Sequence, residues 1–87
     1  MASQFDSVRA EALFASTLQP SERPAADEVR HAVTGTLRLL GSRGCAAQVA
    51  AEFGDYPETA VRRMTWALDT VRRAYPQRTV RVYALAS

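Results

Sequence analysis

The sequence predicts an all-α domain of four helices, followed by a short strand or tail. Apolar residues recur every three or four positions through most of the chain, which is the spacing of an amphipathic helix. Glycine and proline interrupt this spacing where helices would end, and only the last residues alternate apolar and polar side chains as a strand does. The 87 residues can form one hydrophobic core, so we expect a single helical domain over 1–78 and a tail over 79–87.

Composition limits the class of protein. No apolar run approaches the roughly 20 residues that span a bilayer, and the start of the chain lacks the pattern of a signal peptide. We therefore expect a cytoplasmic protein with no membrane partner. The single cysteine, Cys45, excludes an internal disulfide. All 11 basic residues are arginine, and Lys, Ile and Asn are absent while Ala is abundant, so the composition resembles that of actinobacterial proteins.

The first helix is predicted over about residues 4–18, with Ser3 and Asp6 as a capping pair. Its apolar residues fall on two sides: Phe5, Val8 and Ala12 on one, and Leu13, Phe14 and Leu18 on the other. A helix that is apolar on two sides is either wrapped by its own domain or shared with a partner. Two prolines in "QPSERPAAD" then break the chain.

The second and third helices are predicted on either side of "GSRG". The second, over about 24–40, has an apolar stripe of Val29, Val33, Thr36, Leu37 and Leu40. We expect Gly41 to stop it, in the usual position after a helix. The third helix runs from about Cys45 to Phe53 and ends at Gly54, and its inward side is Cys45, Val49, Ala50 and Phe53.

The fourth helix follows a second predicted capping pair, Asp55 and Glu58, with Pro57 in its first turn. It runs to about Tyr75, where Pro76 stops it. Its inner face is Ala60, Met64, Ala67, Leu68, Val71 and Tyr75. The remaining "RTVRVYALAS" alternates like a strand, and a lone strand leaves its backbone groups unpaired unless a second copy pairs with it. This favours a homodimer.

Residues 45–68, "CAAQVAAEFGDYPETAVRRMTWAL", resemble the helix-turn-helix of sigma-factor region four and of response-regulator output domains. Phe53 and Gly54 stand where this family has Leu-Gly, and Thr59 and Ala60 stand for its Thr-Val. In the family the glycine permits a positive φ, and a short turn swings the second helix outward. The other matches are Ala50, at the position where the two helices cross, and Met64, Ala67 and Leu68, at later core positions.

The resemblance implies a small transcription regulator that binds double-stranded DNA, with the helix from Pro57 as its recognition helix. The contacts that it implies are Arg43, Tyr56, Thr59, Arg62 and Arg63. Arg62 would face a guanine edge and Arg63 a phosphate. The charge distribution favours this, because residues 42–87 contain seven Arg and four acidic residues whereas residues 1–41 contain four and five. A dimer would present two recognition helices to a palindrome.

The alternative is a non-enzymatic protein-interaction module, such as an adaptor or anti-regulator. Trp66 lies midway around the polar face of the fourth helix among arginines, and an exposed Trp ringed by Arg is typical of an interface hot spot. The same ring could instead pack beneath the first helix, since most Trp residues are largely buried. The candidate interface residues are Phe14, Leu18, Trp66 and Arg73.

Catalysis is not predicted. One His, one Cys and scattered carboxylates form neither a metal-ligand spacing nor a nucleophile–base pair. His31 is expected on the surface, and Cys45 is expected to be a small buried apolar residue. We therefore expect no enzymatic activity, no cofactor and no metal.

Overall fold

The computed structural model describes residues 4–76 and contains three helices joined by short connections. They are α1 (Gln4–Ala15), α2 (Ala26–Asp55) and α3 (Pro57–Ala74), with a 3-10 turn at Pro20–Glu22. The predicted all-α class is confirmed, and residues 4–76 contain no strand. The predicted capping residue Ser3 and the predicted strand at 78–87 lie outside the described residues. None of the helices between residues 4 and 76 has both the length and the hydropathy that a membrane span requires.

The first helix, α1, is wrapped by its own domain. It packs against both α2 and α3, and its buried apolar residues are Ala10, Ala12, Leu13 and Phe14. This packing explains why the sequence is apolar on two sides of the helix. Phe5 is an exception, because 71% of its surface is exposed. The helix ends at Ala15, three residues earlier than predicted, and the Ser16 N–H then donates to the Leu13 carbonyl at 3.1 Å.

The predicted second and third helices follow each other without a loop as one run, α2, which is interrupted at Gly41, so four separate helices are not confirmed. Helical geometry is broken at Gly41, as predicted, with φ 71° and ψ 166°, and a second helical segment follows directly after this kink. Glycine adopts this conformation because it has no Cβ, and no heavy atom lies within 4 Å of the place where a Cβ would be. The apolar stripe continues across the bend, from Val29 and Val33 to Cys45 and Val49, all of which are buried.

The turn between α2 and α3 is tighter than predicted. The prediction that Gly54 ends a helix is wrong, because α2 continues through Gly54 to Asp55. Gly41 is the only glycine with positive φ in the part of the chain that the structure describes. A single residue, Tyr56, with φ −139° and ψ 65°, separates α2 from Pro57. The chain therefore reverses direction without the positive-φ glycine that the resemblance to a helix-turn-helix implies.

The start of α3 differs from the predicted capping pair. Tyr56 is the N-cap residue, and no side chain forms a capping hydrogen bond there, so the prediction that Asp55 and Glu58 cap this helix is wrong. The Ala60 N–H closes the first turn by donating to the Tyr56 carbonyl at 2.9 Å. Pro57 occupies the first turn as predicted, since its missing N–H would have no partner in the helix.

All three helices contribute to one alanine-rich core. The predicted inner face of α3 is confirmed, because Ala60, Ala67 and Val71 are buried and the rest of that face is half-buried: Met64, Leu68 and Tyr75. The prediction for the end of α2 is right for Cys45 and Val49 but wrong for Ala50, which is exposed. The core is therefore built from small side chains, and the largest of those that are fully buried are Leu13, Val29, Val71 and Cys45.

Contacts at the helix ends show that α3 runs back along α1. The Arg9 guanidinium of α1 lies 4.0 Å from the centroid of the Tyr75 ring, just after α3. Arg30, in the second turn of α2, donates from Nη1 to the Ala74 carbonyl at 3.1 Å. The end of α3 therefore lies beside the beginnings of both other helices, and a cation meets its free carbonyl groups, where the helix dipole favours positive charge.

Candidate interaction surface around Trp66

Trp66 is a half-buried side chain on the outer part of α3. It packs against the core on one side, and it lines a groove in the protein surface on each side of the helix. The Arg63 guanidinium lies 5.1 Å from the centroid of the Trp66 ring, one helical turn earlier. This is within the range of a cation–π interaction. The structure therefore lies between the two predictions for Trp66, since the ring is neither fully exposed nor fully covered.

Arg63 contacts the Trp66 ring and also donates hydrogen bonds to carbonyl groups at the end of α1. Its Nε donates to the Phe14 carbonyl at 2.8 Å, and its Nη2 donates to the carbonyls of Ser16 and Leu18, both at 3.0 Å. These are carbonyls at and after the end of α1, where a helix leaves such groups unpaired. Burial lowers the pKa of the Arg63 guanidinium, and the negative charge of Glu52 opposes this effect.

These bonds argue against the predicted contact between Arg63 and a DNA phosphate, which stays a prediction. Its guanidinium faces inward, and its Nε and Nη2 already donate to backbone carbonyls. A phosphate could replace these partners only if the end of α1 lost its hydrogen bonds. The sequence does contain a signal for this role, because Arg63, Ala67, Thr70 and Ala74 follow helical spacing on one face. In an alanine-rich helix, however, the apolar stripe centred on Met64 indicates the buried face as strongly as the stripe that contains Arg63 does.

The first groove beside Trp66 has a volume of about 460 Å³. It lies where the connection between α1 and α2 crosses the second half of α3. We call it the proline groove, after Pro20 and Pro24, and its other lining residues are Arg23, Ala26, Val29, Trp66, Thr70, Arg73 and Ala74. Two prolines and an indole give it apolar walls, and among the described residues two arginines are the only charged ones that line it.

Thr70 is a buried polar residue in the wall of the proline groove. Only 7% of its surface is exposed, and its hydroxyl has no hydrogen-bond partner among the described residues. By contrast, the hydroxyl of Thr65, on the exposed side of α3, donates to the Val61 carbonyl at 2.9 Å. A buried hydroxyl without a partner is costly. The helical spacing of the sequence does not predict this site. The connection between α1 and α2 brings Pro20 and Pro24 to Trp66 and Thr70, and spacing within one helix cannot show such a contact.

The second groove lies on the other side of Trp66 and has a volume of about 540 Å³. We call it the arginine groove, after its lining residues Arg62, Thr65, Trp66, Leu68, Asp69 and Arg72. Asp69 is bound to the predicted interface residue Arg73, with 2.9 Å between its carboxylate and Nη2 of the arginine, and both side chains are largely exposed. Arg62 and Arg72 have no ion pair among residues 4–76, so the groove is positively charged.

The other predicted interface residues of α1 do not lie on the surface. Phe14 is only 4% exposed and stacks on Phe53, with 6.1 Å between the ring centroids. The prediction that Phe14 contacts a partner is therefore wrong, because this ring joins α1 to the end of α2 inside the core. Leu18 is half-buried, and it packs against the same core.

The remaining predicted DNA contacts are exposed, and all of them except Arg43 lie at the turn into α3. Arg43 lies in α2 shortly after the bend, Tyr56 forms the turn, and Thr59 and Arg62 lie in the first turns of α3. Neither Arg43 nor Arg62 has a hydrogen bond or an ion pair with any other described residue. The acidic side chains of Asp55 and Glu58 are exposed in the same region.

The groups with chemical reactivity are few. His31 is exposed and Cys45 is fully buried, as predicted. Burial raises the pKa of the Cys45 thiol, and the negative charge of Glu11 adds to this effect, so the thiol stays protonated at neutral pH. Within residues 4–76, no group of three or more His, Cys, Asp or Glu side chains is arranged to hold a metal ion.

No protein-family model matches the chain, and no curated protein or solved structure matches it at a significant level. The likeness of residues 45–68 to the helix-turn-helix of sigma factors and response regulators therefore stays a prediction.

Proposed function

We propose that this chain is a non-enzymatic helical module that binds another protein through the surface of α3 around Trp66. The proposal rests on one observation: the half-buried Trp66 ring is held by Arg63 and opens onto the proline groove on one side and the arginine groove on the other. Trp and Arg are the residues most enriched at interface hot spots. A ring that is already fixed loses little side-chain entropy when a partner binds.

The charge of this surface favours an acidic partner. Four arginines line the two grooves, namely Arg23, Arg62, Arg72 and Arg73, against one acidic residue, Asp69. Asp69 is already paired with Arg73. The uncompensated positive charge would steer a negatively charged partner to the surface and discriminate against basic ones.

Site-specific photo-crosslinking tests this proposal in the cells that naturally make the protein. A photoreactive amino acid replaces Thr65, which is exposed and lines the arginine groove. The control position is Thr34, an exposed threonine of α2 outside both grooves. We expect a defined crosslinked protein at position 65 that is absent at position 34 and is lost when Trp66→Ala is added. A product of twice the chain mass would identify the partner as a second copy, in agreement with the predicted homodimer.

The same products at both positions, or products that survive Trp66→Ala, would contradict a specific interface at this surface. Because Trp66 contributes to the core, the variant must first be shown to keep its helical circular dichroism. The loss of a crosslink then reports on binding and not on unfolding.

Binding of double-stranded DNA, as in a transcription regulator, is the second candidate. The observation that favours it is the exposure of Tyr56, Thr59 and Arg62 at the turn into α3, together with the exposed Arg43 in α2. We rank it second for two reasons. Arg63 is committed to backbone carbonyls, and Asp55 and Glu58, which no capping bond occupies, would repel phosphates at the start of α3.

The two candidates differ in their dependence on salt. Fluorescence anisotropy of a labelled random duplex, measured from low to physiological salt, gives the affinity for DNA. For a DNA-binding protein, the logarithm of the binding constant should fall linearly with the logarithm of the salt concentration, with a slope of about −0.9 for each phosphate contacted. Arg43→Ala with Arg62→Ala should then flatten the slope, while Arg38→Ala, an exposed control in α2, should not. Absence of binding at low salt would exclude DNA as the target.

A further inference from the structure

We propose that the proline groove binds the carboxyl-terminal residue of a partner polypeptide, with the apolar side chain on Trp66 and the free carboxylate at Arg23. This inference rests on the proposed function, since it names the part of the partner that one of the two grooves would hold. It is drawn from three features of the groove that meet in one place: apolar walls, an unpaired cation and an unpaired buried hydroxyl.

The apolar walls define the first requirement of the ligand. Pro20 and Pro24 face the Trp66 ring across a space of about 460 Å³, which is within the range of small-ligand pockets. Proline rings and an indole offer flat apolar surfaces with few rotatable bonds, so they lose little entropy when they cover a side chain. The groove therefore suits one apolar or aromatic side chain.

The charged residues define the second requirement. Arg23 ends the 3-10 turn in the left-handed conformation, with φ 48° and ψ 58°. Its side chain is exposed and has no hydrogen bond or ion pair with the described residues. Arg73 is held only by the exposed Asp69, a type of pair that contributes little and is readily shared. Within residues 4–76, no acidic residue lines the groove, so a carboxylate is the complementary group.

The hydroxyl of Thr70 defines the third requirement. It is covered and unpaired in the structure. Threonine in a helix has two accessible χ1 positions, and a rotation between them would present the hydroxyl to the groove that Thr70 lines. An amide group of a ligand would then give this hydroxyl the partner that it lacks, which is the condition that buried polar groups normally satisfy.

The last residue of a polypeptide has all three groups on adjacent atoms: a side chain, a free carboxylate and an amide N–H. A small organic acid without an amide would leave the Thr70 hydroxyl unpaired. An internal Asp or Glu would place its carboxylate one or two bonds further from its own amide. Capture of a terminal carboxylate is a known mode of peptide recognition, and here the recognising groups would be Arg23 and Thr70.

Titration of the full ¹⁵N-labelled chain with N-acetyl-L-phenylalanine tests the site, because this compound mimics a terminal residue. The single tryptophan of the chain, Trp66, gives one indole N–H signal. We expect saturable shifts of that signal and of the Arg23 and Thr70 amides, with a Kd of about 1 mM for a ligand of about 15 non-hydrogen atoms. N-acetyl-phenylalanine amide, which lacks the charge, should bind roughly ten times more weakly.

Two variants assign the contacts. Arg23→Ala should weaken binding of the acid about tenfold and leave binding of the amide unchanged, while Arg72→Ala, an arginine of the other groove, should have no effect. Thr70→Val keeps the shape of the side chain and removes the hydroxyl. It should weaken N-acetyl-phenylalanine about fivefold and leave 3-phenylpropanoate, which has no amide, unchanged.

Three outcomes would overturn the inference. The first is the absence of a saturable shift up to about 20 mM N-acetyl-phenylalanine, which is well above the Kd expected for a ligand of this size. The second is equal binding of N-acetyl-phenylalanine and its amide, and the third is equal binding of N-acetyl-phenylalanine and 3-phenylpropanoate. The last would identify a site for small organic acids instead. Failure here is distinct from failure of the proposed function. A Trp66-dependent crosslink at position 65 without binding of N-acetyl-phenylalanine would keep the protein interface and remove the terminal-residue site.

Discussion

At the scale of single residues, Arg63 joins α1 to α3. Its guanidinium satisfies the carbonyls of Phe14, Ser16 and Leu18, and its plane lies near the rings of Phe14 and Trp66. Arg63→Ala would leave several partly buried acceptors without a donor. We therefore expect the free energy of unfolding to fall by about 2–4 kcal/mol, measured by urea denaturation with far-UV circular dichroism.

Arg62→Ala is the matched control for this prediction, because Arg62 is the preceding residue, is exposed and has no partner among the described residues. It should change the free energy of unfolding by less than about 0.5 kcal/mol. Arg63→Lys should recover only part of the loss, since an ammonium group cannot reproduce the planar fork of the guanidinium. Equal urea midpoints for Arg62→Ala and Arg63→Ala would contradict the role given to Arg63.

Thr70 gives an opposite prediction at the same scale. Its hydroxyl is buried without a partner among the described residues, so Thr70→Val removes an unsatisfied group and keeps the volume. We expect the free energy of unfolding to stay the same or rise by up to about 1 kcal/mol. Thr65→Val, which removes a hydroxyl bonded to the Val61 carbonyl, is the control. A fall beyond that of the control would show that the Thr70 hydroxyl has a partner in solution.

At the scale of the helix, Gly41 decides the shape of α2. Its φ of 71° and ψ of 166° lie in a region that is essentially restricted to glycine, and residues with a Cβ pay about 1–3 kcal/mol to adopt such a conformation. Gly41→Ala should therefore lower the free energy of unfolding by about this amount, although no atom obstructs the added methyl group. Urea denaturation measures the loss.

Gly35 and Gly54 are the controls for Gly41. Both lie in α2, neither has a positive φ, and a Cβ at either position meets no atom within 4 Å. Alanine has a higher helix propensity than glycine, so Gly35→Ala and Gly54→Ala should raise the free energy of unfolding by about 0.4–1 kcal/mol. If Gly41→Ala also stabilised the protein, the bend in α2 would not exist in solution.

The helices also show what the sequence can predict. The inner faces of α2 and α3 followed from the spacing of residues such as Val29, Val33 and Val71, because burial of apolar side chains has the period of the helix. The break at Gly41 was predicted from the sequence, but the direct continuation into a second helical segment was not, because "GSRG" has the composition of a longer turn.

The candidate surface could be predicted only in part. Trp66 was recognised from its arginine neighbours, but periodicity within α3 cannot show that Pro20 and Pro24 lie opposite it, since that contact joins distant parts of the chain. The inward position of Arg63 was missed for a related reason. Its partners are backbone carbonyls at the end of another helix, and these have no signature in the sequence.

At the scale of the whole molecule, the stability of the fold should depend on alkaline pH through the buried Cys45 and the half-buried Tyr75. Burial raises the pKa of Cys45, with a further contribution from Glu11. Burial also raises the pKa of Tyr75, against the opposing charges of Arg9 and Arg30. A raised pKa in the folded state means that, above the pKa of the unfolded chain, the unfolded state loses its proton first. Stability is therefore fully present below that pKa and falls as the pH rises above it.

The thiol sets the lower end of this pH range. An unperturbed cysteine has a pKa of about 8.5, so the free energy of unfolding should begin to fall above about pH 8.5, approaching 1.4 kcal/mol per pH unit while only the unfolded state is ionised. Tyr75 should add to the slope above about pH 10. Urea denaturation from pH 7 to pH 10 measures the effect. Cys45→Ala should be less stable at neutral pH because it leaves a small cavity, but its stability should change less between pH 8 and 10. Parallel curves for the two proteins would mean that the thiol has the same pKa in the folded and unfolded chains, and that the core around Cys45 admits water.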